Sequence, residues 1–376
     1  KKMNIDLEIH ELINIINKNY AKSFLNEMKS NDEKKFNDFK KWRDYIYKIE
    51  EKYERKNILI FNGVKITNLM SFKINHFIKK YKNLKVLDFS QLDMPDANTE
   101  GFSYSQYLFA LYHFITNPKK IYIKLRYVFF NSLVKYLNIH PTYFMVFGKE
   151  GENRFKIKKT TNTKVILANS FEYNMELSTK NLESQEKIKG KYAIFLESPV
   201  PIFEGDTRIT GIKKTDKITV EKWTKSLNDF FSFIEKNFFL KVYICPHPKV
   251  KHYSENPNYY FGRKILKDPL CVVSRKAALI ITRSSTGVAF GIFNSIPSMI
   301  ITSNEIISKR KNHYIWQKKF AKSLGRDLVN IDEFDREKIS DEIFNLDKNC
   351  YKKYMSDYLT ARTDGVLNSK ILSELI

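Results

Sequence analysis

The 376-residue chain is long enough for two domains of ordinary size, and its 43% hydrophobic content excludes a disordered chain. Lysine and arginine total 65 against 42 acidic residues, a net charge of +23 that calls for an anionic partner or surface, although an Ile/Asn/Lys/Phe/Tyr-rich composition of this kind also follows from an AT-rich genome. Cys245, Cys271 and Cys350 have neither CxxC spacing nor a disulfide framework, which points to a reducing compartment.

Residues 1–56 are charged and periodic. Ile5, Ile9, Leu12, Ile13 and Ile16, then Phe36, Phe39, Trp42, Ile46 and Ile49, recur at helical spacing and predict a helical extension packed on the first domain. A strand over 57–61 then ends in Asn62-Gly63, and a helix over 66–81 leads to a strand over 84–89. Residues 104–138 are helix-rich, with a short strand expected at 121–125; further strands fall at 143–147 and 164–168. This alternation defines a parallel sheet with crossover helices, so residues 57–190 form the first domain. The polar stretch Ser178–Gly190 marks the junction.

Residues 191–376 repeat the plan. Tyr192–Leu196 is a buried strand running into Glu197-Ser-Pro-Val-Pro-Ile-Phe-Glu-Gly205-Asp206, and Val220, Trp223, Leu227, Phe230, Phe231 and Ile234 share one helix face. Strands at 241–245, 279–281 and 298–302 follow, and 336–376 is a helical tail able to cross back onto the first domain. The expected fold is α/β: two Rossmann-like domains facing a cleft, with the N-terminal helical extension. Ala277–Ile301 is broken by Arg283, three hydroxyls and Pro297 and fails as a membrane span, and Lys-Lys-Met-Asn-Ile-Asp at the start does not read as a secretion signal. A cytoplasmic protein, soluble or peripheral to a membrane, is expected.

Two strand ends carry the chemistry. Lys241-Val-Tyr-Ile-Cys-Pro-His247-Pro248-Lys249 stops a strand on a histidine between prolines, where an imidazole can donate to a phosphate oxygen or protonate a leaving group, with Lys249 and Lys251 adding charge. His252 has no such constraint. About 35 residues on, Arg283-Ser284-Ser285-Thr286-Gly287 opens a helix, a place where free amides favour an anion; a simple serine cap accounts equally for the hydroxyls. Gly287, Ala289 and Gly291 allow close backbone approach to a phosphate and close helix packing. In open α/β sheets ligands lie at the carboxyl ends of strands, where both signals fall. Glu197 and Asp206 bracket a loop stiffened by Pro199 and Pro201, with Gly205 permitting a tight turn; carboxylates opposite a phosphate site suit glycosyl transfer, and a solvated acidic loop is the alternative. Glu172 and Asn174 make a similar polar exit from the first domain. No Asp-x-Asp pair or zinc-spaced cluster is present, so no metal cofactor is expected and a donor with a single phosphate is favoured.

At these residues the chain resembles bacterial GT-B glycosyltransferases that use CMP-activated acidic sugars: lipooligosaccharide sialyltransferases, polysialyltransferases and Kdo transferases. The resemblance spans roughly residues 160–305 and lies in His247-Pro248, the Ser284-Ser285-Thr286 turn and the Glu197–Asp206 loop. It implies that His247 and Ser284–Thr286 bind CMP, flanked by Pro248, Lys249, Arg283 and Gly287, and that Asp206 or Glu197 is the catalytic carboxylate. The loop reads Glu204-Gly205-Asp206, where the family has Asp-Asp-Gly or Glu-Asp-Gly. Asp364-Gly365 is also similar to a segment of nucleotide-sugar enzymes. The implied partners are a CMP-sugar donor, a glycan or lipid-linked glycan acceptor and the anionic inner-membrane surface, with no specific nucleic acid. A nucleotide-sugar epimerase or polyol-phosphate transferase on the same fold, and a basic nucleic-acid-binding protein, are the alternatives; the last lacks any helix-turn-helix, zinc module or aromatic-basic RNA motif.

Overall fold

Short β-branched and aromatic runs alternating with amphipathic helices build two parallel sheets here, as that alternation requires. The computed structural model describes residues 9–11, 33–53, 58–61, 66, 68–81, 83–89, 94–95, 118–157, 162–186, 188–198, 218–247, 258–334, 339–362 and 364–375. Ahead of the first sheet, β1 (Ile9–Glu11) and β2 (Glu33–Lys35) pair in parallel with Ile9 opposite Glu33. The helical spacing of residues 5–16 is therefore overruled at Ile9, where a partner strand takes up the backbone hydrogen bonds; Ile5, Leu12, Ile13 and Ile16 lie outside the described residues. The second periodic stretch does fold as α1 (Phe39–Lys52), started by Asp38, whose carboxylate accepts from the Lys41 amide at 3.1 Å.

The first sheet comprises β3 (Ile58–Phe61), α2 (Leu69–Lys80), β4 (Leu84–Phe89), α3 (Pro118–Tyr136), β5 (Tyr143–Phe147), α4 (Gly148–Ile157) and β6 (Lys164–Ala168), with strands in the order β3-β4-β5-β6. Trp42 and Ile46 of α1 bury against Ile74, Phe77 and Ile78 of α2, so α1 packs on this sheet's outer layer. The strand expected at 121–125 is instead part of the 19-residue α3. Ile-Tyr-Ile has strand composition locally, but the run continues at helical period, and Phe130 seats that helix against Phe72 of α2. After β6, Ser170 caps α5 (Phe171–Thr179) by accepting from the Tyr173 amide at 3.1 Å.

The second sheet follows with β7 (Tyr192–Leu196), α6 (Val220–Phe238), β8 (Lys241–Cys245), α7 (Leu270–Val273), β9 (Leu279–Thr282), α8 (Val288–Phe293), β10 (Ser298–Thr302), α9 (Asn304–Lys309), α10 (Lys311–Ser323) and β11 (Leu328–Asn330), its strands ordered β11-β10-β9-β7-β8 and all parallel. Every residue of β7, β9 and β10 is buried, as expected for strands covered on both faces. Trp223, Leu227, Phe230, Phe231 and Ile234 of α6 form one wall of this core, each side chain contributing roughly 1.5–3 kcal/mol by leaving water.

Past β11 the chain forms α11 (Lys348–Tyr354), which widens into a π-helical turn at Met355–Leu359, and then α12 (Asn368–Ser373). This tail returns to the first sheet. Ser170 N–H donates to Leu359 O at 2.7 Å, and Ala361 N–H to Ala168 O at 3.1 Å. Asn169 and Asn368 exchange hydrogen bonds at 3.1 and 2.8 Å, the Asn368 amide reaches Asn174 Oδ1 at 2.7 Å, and Ile371 packs with Leu87, Met145, Phe147, Ile166 and Ala168. Among the described residues no helix is long and apolar enough to cross a membrane.

Candidate functional site

Register sets the level of the site. Leu196, Cys245 and Thr282 are aligned partners on β7, β8 and β9, so the three chains leave the sheet side by side as Glu197-Ser198, Pro246-His247 and Arg283-Ser284. β7 lies in the middle. With strands about 4.8 Å apart, the exits of β8 and β9 stand about 10 Å from each other across it.

Glu197 is buried at 4% exposure and binds β8's exit from both directions. Its amide donates to Cys245 O at 3.0 Å, extending the ladder by one residue, and its Oε2 accepts from the His247 amide at 3.1 Å. Tyr260, set edge-on to Phe195, donates its hydroxyl to Oε1. Burial raises the Glu197 carboxyl to about 6, against the opposing pull of the bonds from Tyr260 and His247. One carboxylate oxygen thus holds the His247 amide and the other the Tyr260 hydroxyl, while His247 itself is half-buried. Asp206, Pro248, Lys249, Lys251 and His252 lie outside the described residues.

Arg283 is the less expected group. It is 4% exposed, yet no carboxylate pairs with it among the described residues. Its Nε donates to Ser198 Oγ at 2.9 Å and its Nη1 meets His313 Nε2 at 3.3 Å. A guanidinium only donates, so His313 must accept as the neutral imidazole with its proton on Nδ1. Burial, reinforced by Arg283 and Arg310, lowers the His313 pKa to about 3. Burial, with Arg310 adding repulsion, lowers that of Arg283 to about 9. Toward the described residues two of the five guanidinium N–H groups are used, and the other three are the ones a ligand would meet. A buried cation without a counter-ion is costly to keep, and such groups mark functional sites.

One face of α10 braces this arginine. Gln317, fully buried, donates to Arg283 O and to Ile301 O, both at 3.0 Å, and accepts from Thr302 Oγ1 at 2.9 Å. His313 stacks on Trp316 at 5.4 Å, and the Trp316 indole donates to Pro95 O at 2.7 Å, linking the brace to the chain between β4 and α3. His313, Trp316 and Gln317 sit at i, i+3 and i+4, so the face was visible as a pattern. Nothing in the pattern told that it meets Arg283.

The Ser284–Gly287 turn differs from the expected helix-end anion site in its physics. Ser285 N–H is tied to Thr282 Oγ1 and Gly287 N–H to Ser285 Oγ, each at 3.2 Å, while the Val288 and Ala289 amides bond back to Ser285 O and Thr286 O. α8 has only six residues, too few for a strong macrodipole. The charge at this edge comes from Arg283, with the half-buried Ser284 and exposed Thr286 hydroxyls beside it. Gly287 serves packing: a Cβ there would lie 2.5 Å from Leu270 Cδ2 and 3.1 Å from Leu196 Cδ1. Outside this edge, Asn174 takes part in anchoring the C-terminal tail, and Glu172 lies beside it on α5. Asp364 pairs with Arg362 across the turn before α12. Among the described residues no group of three or more His, Cys, Asp or Glu could hold a metal ion.

No protein-family model matches the chain, and no curated protein does. Solved structures similar to it include UDP-GlcNAc 2-epimerase of Methanocaldococcus jannaschii in complex with UDP-GlcNAc and UDP, at 12% identity and TM-score 0.46, covering 100% of this chain and 92% of that one. MurG of Acinetobacter baumannii is similar at 10% identity and TM-score 0.41, covering 89% and 77%. The glycosyltransferase of kitacinnamycin stands at 9% identity and TM-score 0.41, covering 89% and 79%. Likenesses of this size assign no activity to the chain.

Proposed function

We propose that the chain is a GT-B glycosyltransferase that moves an acidic 3-deoxy-ulosonic sugar, Kdo or a sialic-type acid, from its CMP donor onto a bacterial surface glycan. The observation that carries the reading is the buried Arg283, without a carboxylate partner among the described residues, at the carboxyl edge of β9 and two strands from His247. A donor phosphate supplies the missing negative charge. In this reading three guanidinium N–H groups and the Ser284 and Thr286 hydroxyls grip that phosphate, and charge-assisted bonds of this kind are about twice as strong as neutral ones. His247 donates to, or protonates, the phosphate oxygen that departs with CMP, with Pro248 and Lys249 completing that side. Glu197 acts as a positioning residue because its two oxygens hold the His247 amide and the Tyr260 hydroxyl. The carboxylate acting on the acceptor hydroxyl or the anomeric carbon is then Asp206. The cations on hand suffice for one phosphate, so no divalent metal is invoked. The enzyme would work on the cytoplasmic side of the inner membrane, where lipid-linked acceptors are found.

The test is thermal unfolding with CMP, UMP, UDP and CDP, followed by donor hydrolysis with CMP-Kdo and CMP-sialic acid. CMP should raise the melting temperature most, and one of the two donors should be slowly hydrolysed. If CMP has no effect and neither donor is consumed, the proposal is wrong. A larger shift with UDP would turn the reading towards a nucleotide-sugar epimerase, and with CDP towards a polyol-phosphate transferase.

A further inference from the structure

The 19-residue helix α3 leaves a broad apolar face uncovered. Tyr122, Leu125, Val128, Phe129 and Tyr136 are between 52% and 86% exposed. At 3.6 residues per turn these five positions fall within an arc of about 120°, along a helix about 28 Å long. Phe130, on the other side, is 6% exposed and meets Phe72 of α2, so the helix is docked on its sheet by one side and open on the other. Apolar side chains exposed singly need no explanation, but four aromatic and branched residues clustered over two turns, with Tyr136 beyond the exposed Ser132 on the same face, do.

Charge decides what covers it. Residues 118–136 include Lys119, Lys120, Lys124, Arg126 and Lys135 and no Asp or Glu. Arg126 lies over the Tyr122 ring at 5.7 Å, at the border of the stripe, and Lys135 is exposed beside Tyr136. A second copy of the chain laid face to face would bring two such basic helices together in a protein already carrying +23. Nucleic acid would use the cations and leave the aromatic stripe in water. A helix that pairs an aromatic and aliphatic face with lysine and arginine lies instead in the interface of an anionic bilayer, its apolar face roughly 5–10 Å into the headgroup region. We infer that α3 is a membrane-docking helix that seats the first domain on an anionic lipid surface. This deepens the membrane placement of the transferase reading by assigning it to one helix, and it is argued from the residues of α3 alone.

The test is co-sedimentation of the full chain with vesicles of phosphatidylcholine alone and of phosphatidylcholine with phosphatidylglycerol. The wild type should bind the anionic vesicles, less so at high salt. Leu125→Ser with Phe129→Ser should weaken binding roughly tenfold or more, and Arg126→Gln with Lys135→Gln roughly fivefold or more, on anionic vesicles only. Because Leu125, Phe129 and Lys135 are exposed and Arg126 is half-buried at the helix surface, circular dichroism and melting temperature should stay as in the wild type. Phe239→Ser, at the 88%-exposed residue that ends α6, should leave binding unchanged. The inference is overturned if the wild type stays in the supernatant, if the Leu125/Phe129 variant sediments as the wild type does, or if light scattering shows a dimer that this variant dissociates. The CMP-induced melting shift reports on the nucleotide site separately, so either idea can fail alone.

Discussion

Arg283→Met perturbs the charge on which the nucleotide site turns, and it should push stability and binding in opposite directions. Burial, with Arg310 nearby, lowers the guanidinium from 12.5 to about 9, which corresponds to roughly 5 kcal/mol set against its charged form in the empty site. Folded and unfolded chains both carry the charge below about pH 9. The cost is therefore constant at neutral pH and is relieved only as pH rises from about 9 towards 12.5. Methionine removes it but deprives Ser198 Oγ and His313 Nε2 of one hydrogen bond each, roughly 1 kcal/mol apiece. The unliganded variant should gain at most about 3 kcal/mol, a rise of several degrees at roughly 2–4 °C per kcal/mol. Phosphate binding should lose roughly 1.5–3 kcal/mol, about 10- to 150-fold in Kd. Calorimetric melting of both proteins with and without CMP, with isothermal titration of CMP, measures both effects. A variant that melts below the wild type without ligand, and binds CMP equally well, would show Arg283 to be a structural residue and refute the reasoning.

Other consequences of the geometry can be measured alongside. Glu197→Gln keeps the shape and can still accept from His247 N–H. The folded-state carboxyl is raised from 4.5 to about 6, so its stabilising contribution is full below about pH 4.5 and is lost as pH rises through 6, by roughly 2 kcal/mol. Melting curves between pH 4 and 7 should therefore be flatter for the glutamine variant than for the wild type, and parallel curves would contradict the shift. His313→Ala removes the acceptor that orients Arg283 and should weaken CMP binding about fivefold, the equivalent of roughly 1 kcal/mol, without altering the preference among nucleotides; titration calorimetry reads both. Asn368→Ala cuts the reciprocal bonds to Asn169 and should cost about 1–3 kcal/mol, appearing first as faster amide exchange in residues 366–375. Unchanged exchange there would mean that the backbone bonds to Asn174, Ala168 and Ser170 and the packing of Ile371 hold the tail without the Asn368 side chain.

The two parallel sheets were legible because buried strands write themselves as unbroken apolar runs and crossover helices as three- and four-residue spacings. Tyr192–Leu196, Ser298–Thr302 and the Trp223–Ile234 face are such cases. Where local pattern misled, a distant partner was responsible. Ile9 fits a helix until Glu33 offers a strand, and Ile121-Tyr122-Ile123 looks like a strand until the whole of α3 is seen to dock through Phe130. β11 went unread because three half-buried residues carry no usable period.

By itself, the chain's order of residues determined which strand ends bear polar groups: Glu197, His247 and Arg283 are written at the close of apolar runs, and a parallel sheet puts all such closes on one edge. Only the tertiary structure decided how those groups are used. Strand order places β7 between β8 and β9, so Glu197 is spent on the His247 backbone, while Ser198 and the α10 residues His313 and Gln317 enclose Arg283 with no counter-ion among the described residues. The reason is that spacing along a chain encodes the period of one element, whereas the electrostatic fate of a buried charge depends on residues brought to it from elsewhere in the chain, here from 85 and 30 positions away.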